Sequence, residues 1–479
     1  MPRNPDKELA NLASEPQTPA SGSLSLQAGA VLAVGLVFAV GVILKQAPLN
    51  GFPTLIHWMW PWRDLPVFKT AVILIAPLMI IGWVLWRSEK DEALASSSQV
   101  RSSKATPWGL LSLLALSNFL LQVLAMVAEP RGIKLIGDIV RSPLATSYFT
   151  DATKIQSVVD WLRTFHQVHL GFHSSTHPPG PVLFYYLFVK LFGSNAAQIG
   201  AYAVGLIGSL GVLLIYKFAG LWTNDQKARL TASAFYALVP ALALFFPEFD
   251  QCYPVLCMLL ILFWVKTLRT SRPVSIPAVC LGAVLFTTTF FAYNVLTVGA
   301  FLAYYGLYWL WIEKAAGPSR WGTLLGTCGI ALGVFAALHA ILWQATGFEA
   351  IASFQRARAA QAFYAVMLNR PYAAAALVDP YDFFLGAGMM ALPLLMLRLR
   401  RCEPDRALTL IAVAAILTVD LTGFLRGETA RLWLFCQPLL AVPVALELSS
   451  YRWRWRIAIF AAQWWVLVCL KARMFFVGP

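Results

Sequence analysis

Residues Ala28–Leu44 read AGAVLAVGLVFAVGVIL, an apolar run with no charged or amide side chain. As a helix it is about 25 Å long, close to the thickness of bilayer hydrocarbon. Comparable blocks recur at Val67–Trp86, Leu110–Val127 and Ala407–Gly423. A helix suits hydrocarbon because it pairs its own backbone polar groups where no water reaches them. The alternation expected of a membrane β-barrel is absent.

Composition agrees. Of 479 residues, 59% are hydrophobic and 13% charged. A soluble domain carries about a quarter charged residues. With the shorter apolar runs, the chain is predicted to be all-α and polytopic, with about 12–14 transmembrane or half-membrane helices. Residues 1–23 (MPRNPDKELANLASEPQTPASGS) are polar and predicted to be a disordered cytoplasmic tail. Residues 24–479 are then a single polytopic domain in the lipid bilayer. The seven cysteines are scattered and suggest neither a zinc set nor a disulfide framework.

The net charge of +14 would suggest nucleic acid in a soluble protein. Here the basic residues flank apolar blocks, so nucleic acid is not an expected partner and orientation by the positive-inside rule is. The loop Arg87–Pro107 carries Arg87, Lys90, Arg101 and Lys104 and is placed inside. Residues 128–177 then form the first large outer loop. Within it, Asp151–His169 (DATKIQSVVDWLRTFHQVH) has apolar residues near helical spacing and is predicted to be an amphipathic surface helix. A second surface helix region is predicted over Phe354–Tyr381, basic at Arg356, Arg358 and Arg370.

Pro178–Phe192 decides the topology beyond it. If it spans, the basic stretches Lys217–Arg229, Lys266–Arg272, Arg398–Arg406 and Arg452–Arg456 all fall outside. If it dips in and returns, all four fall inside, as the rule requires. A re-entrant or half-length helix is therefore predicted.

Four polar constellations then collect outside. His173 and His177 precede Pro178-Pro179-Gly180, where the N–H groups of a helix start favour an anion. The large loop carries Asp138 and Asp151, either of which can serve as a general base against an apolar wall. Glu248 and Asp250 lie between two apolar blocks and suit a substrate hydroxyl or a metal. In Leu425-Arg-Gly-Glu-Thr-Ala-Arg431, the pair Arg426 and Arg431 offers forked guanidinium donors for a phosphate, with Glu428 between them. No Walker A loop, H-E-x-x-H, G-x-S-x-G or Cys/His zinc set is present.

His177-Pro-Pro-Gly180 ahead of FYYLFVKLFG, and the late RGETARLWLF, resemble elements of the C-type (GT-C) integral membrane glycosyltransferases. That group includes protein mannosyltransferases and aminoarabinose and arabinose transferases. The resemblance implies a polyprenyl-phosphate-linked sugar donor and inverting transfer to a glycan, lipid or protein acceptor. It also implies an outer site, on the periplasmic side of a bacterial inner membrane. The base would be Asp138 or Asp151; His173, His177, Glu248, Asp250, Arg426, Glu428 and Arg431 would bind substrate. Some relatives use a divalent metal ion; no other cofactor is implied. A multi-pass transporter or lipid flippase is the alternative. Transporters place ionisable groups in mid-span, and Asp420 is the main residue of that kind here.

Overall fold

The computed structural model describes residues 21–56, 58–97, 106–270, 275–311, 320–401, 403 and 405–478. The predicted tail lies outside the described residues except for Ser21–Ser23, which already belong to the first helix. Among the described residues there is no strand, only the isolated bridges Gly51–Met59 and Trp62–Met474. The chain is an all-α polytopic membrane protein.

The main helices are α1 (Ser21–Ile43), α2 (Val67–Ile73), α3 (Ile75–Ser97), α4 (Trp108–Val127), α5 (Lys134–Arg141), α6 (Tyr148–Ala152), α7 (Val158–Arg163), α8 (Phe172–Ser175), α9 (Gly180–Phe192), α10 (Ala196–Ala219) and α11 (Gln226–Ala237). The second half holds α12 (Tyr253–Thr270), α13 (Ile276–Phe291), α14 (Gly299–Trp311), α15 (Arg320–Thr346), α16 (Ala350–Met367), α17 (Tyr372–Ala387), α18 (Ala391–Arg400), α19 (Arg406–Thr422), α20 (Gln437–Ser449) and α21 (Trp453–Arg473). Among the described residues, six stretches are long and apolar enough to cross a membrane alone, or up to eight if each of two bent pairs is one span. Shorter apolar helices, α13 and the stretch Leu434–Ser449, accompany them.

The bends have local causes. Between α2 and α3 the axis turns by 50°. Pro77 has no N–H to continue the ladder, and the Leu74 carbonyl accepts from the indole of Trp464 at 2.8 Å. Between α17 and α18 the turn is 102°, at Gly388 with φ +89°. There the Gln463 amide donates to the Ala387 carbonyl at 2.8 Å, and a Cβ on Gly388 would collide with that amide. At each break a side chain of a neighbouring span donates to a backbone carbonyl.

Contacts sort the loops onto two faces. On one, Lys217 Nζ donates to Thr106 Oγ1 at 3.1 Å, and Lys227 and Arg456 pair with Glu89. Arg401 pairs with Glu447 at 2.6 Å, and Arg398 with Asp405. On the other, Arg63 pairs with Glu129 at 2.8 Å, the Tyr364 ring lies 4.0 Å from that of Phe172, and Arg370 pairs with Glu428 at 2.6 Å.

Helix α9 has both ends on this second face. Gly180 abuts the Phe290 carbonyl at the end of α13, and Arg141 of α5 donates to Ser194 at 3.0 Å just beyond α9. The chain reverses at Gly193, φ +53°, so that Gly200 of α10 packs on Tyr185 of α9. Gly180–Ala219 is apolar enough to count as one 40-residue stretch, but only α10 runs between the faces. The half-length reading of Pro178–Phe192 therefore agrees with the contacts.

Two sequence expectations need correction. Asp151–His169 is not one surface helix. It breaks after α6, and Ser157 starts α7 by accepting the Asp160 N–H at 3.3 Å. Its apolar residues Ile155, Leu162 and Phe165 are still buried. Phe354–Tyr381 is not one surface region either. It holds the end of surface helix α16 and, after Pro371, the start of the bent pair α17–α18.

This arrangement is testable without knowing orientation. Single cysteines replacing Asn224 and His169 in a cysteine-free background should react with an impermeant thiol reagent from opposite sides of sealed vesicles. Reaction of both from one side would break the two-face assignment.

Candidate functional site

Four separate segments of the second face converge. The first is the connection that follows α19. Helix α19 ends at Gly423, φ +59°, and the chain then places Gly427 (φ +67°) and Glu428 (φ +56°) in the left-handed region. For a residue with a Cβ this costs roughly 1–2 kcal/mol, so something must impose it. Two acids one helical turn apart on α17 do so. Asp379 accepts the Gly427 N–H at 2.8 Å, and Asp382 accepts the Ala430 N–H at 2.8 Å and the Trp60 indole at 2.7 Å. The Thr429 hydroxyl donates to the Asp379 carbonyl at 2.6 Å.

Held this way, Glu428 and Arg431 pair at 2.8 Å, and Glu428 also accepts from Arg370 at 2.6 Å. Burial pushes the Glu428 carboxyl up, but the two guanidiniums outweigh it and hold it below its ordinary range. Arg431 is opposed by its own burial and supported by Glu428, Glu248 and Asp250, and stays firmly protonated.

The second segment is the turn at Glu248 and Asp250. Glu248 is buried with its carboxylate 3.7 Å from Arg431. Asp250 is buried, and its Oδ1 has no hydrogen-bond partner among the described residues. The turn packs tightly on α10. A Cβ at Gly208 would lie 3.2 Å from the Gln251 carbonyl, and Gln251 is anchored to the Leu242 carbonyl at 2.7 Å.

The third segment brings the histidines. His177 Nδ1 lies 2.9 Å from the His173 carbonyl, which only accepts, so Nδ1 carries the proton and Nε2 is a free lone pair. The ring sits between Tyr148 and Tyr253, at 5.5 and 6.3 Å. His173 Nε2 faces Arg431 at 3.5 Å and can only accept there. Burial and then Arg431 push the His173 pKa down to about 3, so it is neutral. Burial also lowers His177, against the pull of Asp250.

The fourth segment is the start of the large loop. Tyr148 faces Asp250, Glu248 and Arg431, and burial followed by the two acids raises its phenol well above its usual range. Three residues on, Asp151 accepts the Gly171 N–H at 2.9 Å and pairs with Lys154 at 2.8 Å. Ser147 accepts the Ser174 N–H at 2.9 Å. These bonds fix the loop that carries His173.

Sequence-predicted residues thus separate into two groups. His173, His177, Glu248, Asp250, Glu428 and Arg431 come together. Asp138, Asp151 and Arg426 do not join them. Asp138 pairs with Arg131 at 2.6 Å on α5, and Asp151 is committed to holding its loop. Arg426 turns back onto the Gly423 and Arg370 carbonyls and over the Tyr372 ring. The second guanidinium at the cluster is instead Arg370, which the sequence offers only as part of a basic surface stretch.

Among the described residues no three His, Cys, Asp or Glu side chains are disposed to hold a metal ion. The cluster's Glu248 and Glu428 already face arginine, so this donor set does not fit a divalent ion.

The buried Glu248 gives the site a pH signature. Burial, then Asp250 and Glu428, raise its pKa to about 8, against the lowering effect of Arg431. A carboxyl whose folded pKa exceeds its unfolded value stabilises the fold below the unfolded value. That contribution is lost as pH rises through the folded one. Melting temperature should therefore fall between about pH 5 and pH 8 more steeply in wild type than in Glu248→Gln. Parallel curves would mean that Glu248 is not held protonated.

No model of a known protein family matches the chain, and no curated protein matches it.

Proposed function

We propose that this protein is a membrane glycosyltransferase that moves a sugar from a polyprenyl-phosphate donor to an envelope glycan, lipid or protein. The observation that carries the reading is the cluster itself. Arg431 faces Glu248, Glu428 and His173 in one buried group at one face of the membrane. A pore or a scaffold has no need of a carboxylate with a free oxygen, Asp250, in the same group as a forked cation.

In this reading the base is in the Glu248–Asp250 turn instead of at Asp138 or Asp151. Asp250 Oδ1 takes the proton of the acceptor hydroxyl as that oxygen bonds to the anomeric carbon. The bond from the anomeric carbon to the lipid phosphate oxygen breaks, and the phosphate leaves with the electron pair. Arg431 meets the growing charge, with Arg370 behind it through Glu428. His177 Nε2 accepts from a sugar hydroxyl or an acceptor hydroxyl. The basic face lies in the cytoplasm by the positive-inside rule, which puts the cluster at the outer, periplasmic side of a bacterial inner membrane.

One observation favours a transporter instead. A span broken by 102° at Gly388, whose first half carries buried Asp379 and Asp382, is a device that secondary transporters use at a substrate site. A reconstitution assay separates the two. With a polyprenyl-phosphate sugar labelled in the sugar and an envelope extract as acceptor, the transferase reading expects label in a product no longer attached to the lipid. Label crossing the bilayer still attached to its lipid, with no new product, supports transport and rejects transfer.

A further inference from the structure

The edge of a guanidinium formed by Nε and Nη2 is the one that forks onto an oxyanion. Three buried arginines fill it, and Arg370, Arg431 and Arg456 leave only Nε open among the described residues. Arg401 sets Nε and Nη2 on the two oxygens of Glu447, at 2.6 and 2.7 Å. Arg398 does the same with Asp405, and Arg63 places both atoms on the Lys471 carbonyl.

Arg356 of α16 differs. Its Nη1 donates to the Phe165 carbonyl, and its charge lies over the Phe165 ring at 4.2 Å. Its Nε and Nη2 are both buried and both without a partner among the described residues. It is the single described arginine for which this is true of the whole edge. No carboxylate pairs with it among the described residues, and the titratable group that acts on it is the phenol of Tyr293. An unpaired cation withdrawn from water is costly, and an anion removes that cost.

The surroundings narrow the anion. Phe165, Phe290 and Phe348 form a wall, with ring centroids 6.1 and 6.2 Å apart, and Tyr293 meets Phe354 at 5.2 Å. Ile351 and Phe354 of the same helix are exposed apolar side chains. The setting is an oxyanion fork beside an apolar surface, which suits an amphiphile with a phosphate head. It is separate from the acid–arginine cluster: Arg356 lies two turns, about 12 Å, before Tyr364, which touches Phe172 at 4.0 Å.

We infer that Arg356 is a second oxyanion site, taking a phosphate-type group at the same membrane face as the cluster. The inference does not depend on sugar transfer.

Binding of dihexanoyl-phosphatidate and of inorganic phosphate to the full-length protein in detergent tests it. Arg356→Lys keeps the charge and a donor for the Phe165 carbonyl but has no fork, so it separates ligand binding from loss of the fold. An unchanged melting temperature checks that the fold is retained. Wild type is expected to bind phosphatidate saturably. The Arg356-dependent part should weaken by about tenfold or more in both Arg356→Lys and Arg356→Gln, as for losing a charge-assisted contact. Weaker binding of inorganic phosphate assigns the site to a lipid headgroup, and equal binding assigns it to free phosphate. Both variants binding both probes as wild type does would overturn the inference, as would no saturable binding to wild type.

Discussion

Arg431→Lys is expected to retain much of the donor affinity and lose turnover by about a hundred- to a thousandfold, the range seen when one stabilising donor is removed. Lysine keeps the charge that balances Glu428, so the fold survives. It cannot fork, and it reaches fewer of the groups that Arg431 now touches: Glu428 at 2.8 Å, Glu248 at 3.7 Å and His173 at 3.5 Å. A leaving phosphate gains charge as its bond to the sugar breaks, so a forked contact is worth more in the transition state than in the bound donor. Arg431→Ala is a harsher change. It leaves buried carboxylates without their cation, and breaking a buried pair costs about 3–5 kcal/mol. Against the ~5–15 kcal/mol of an ordinary folded protein, that is a large loss of stability. If Arg431 were only a local helix partner of Glu428, worth a few tenths of a kcal/mol, both variants would keep wild-type turnover and melting temperature. Measuring turnover and donor affinity on Arg431→Lys separates the two accounts.

The second large effect is expected at Asp250. Asp250→Asn keeps the shape and removes the proton acceptor, so turnover should fall about a hundred- to ten-thousandfold with donor binding kept. Asp138→Asn should stay near wild type, because Asp138 only pairs with the partly exposed Arg131. Asp151→Asn should behave differently again. It weakens the bond to the Gly171 N–H and loosens the loop that carries His173. The loss should therefore appear in donor binding as well as in turnover. Normal turnover in Asp250→Asn with none in Asp138→Asn would return the base to the large loop.

The contrast between these carboxylates shows what the sequence discloses. Apolar blocks identify helices that cross lipid, because hydrocarbon permits almost nothing else. The basic stretches sort the loops onto two faces, and Pro178–Phe192 is legible as a non-spanning helix only because spanning would misplace four of them. Contacts within one turn are also legible: Glu428 and Arg431 are three residues apart and do pair. What pairs across the chain is not. Arg370 meets Glu428 from a separate helix connection, and Asp379 and Asp382 reach the Gly427–Ala430 backbone from a neighbouring span. Nothing local to Arg370 distinguishes it from Arg358. Asp138 and Asp151 look equivalent as loop acids, and only the partners each finds, Arg131 and the Gly171 N–H, show what they do. The break of Asp151–His169 into two short helices was hidden for a related reason. Its apolar spacing is helical, yet Ile155 and Phe165 are buried against different neighbours, and a continuous helix would not serve both.

The chemistry proposed for the cluster around Arg431 and Asp250 is breakage of the bond between a sugar and a lipid phosphate. The most direct measurement is a single turnover of purified protein with a polyprenyl-phosphate sugar and an acceptor extract, following lipid phosphate released and sugar transferred together. This chemistry gives equal release and transfer in wild type, with neither detectable over the same time in Asp250→Asn. Release at the same rate in both proteins, or none from wild type with any polyprenyl-phosphate sugar, would contradict it.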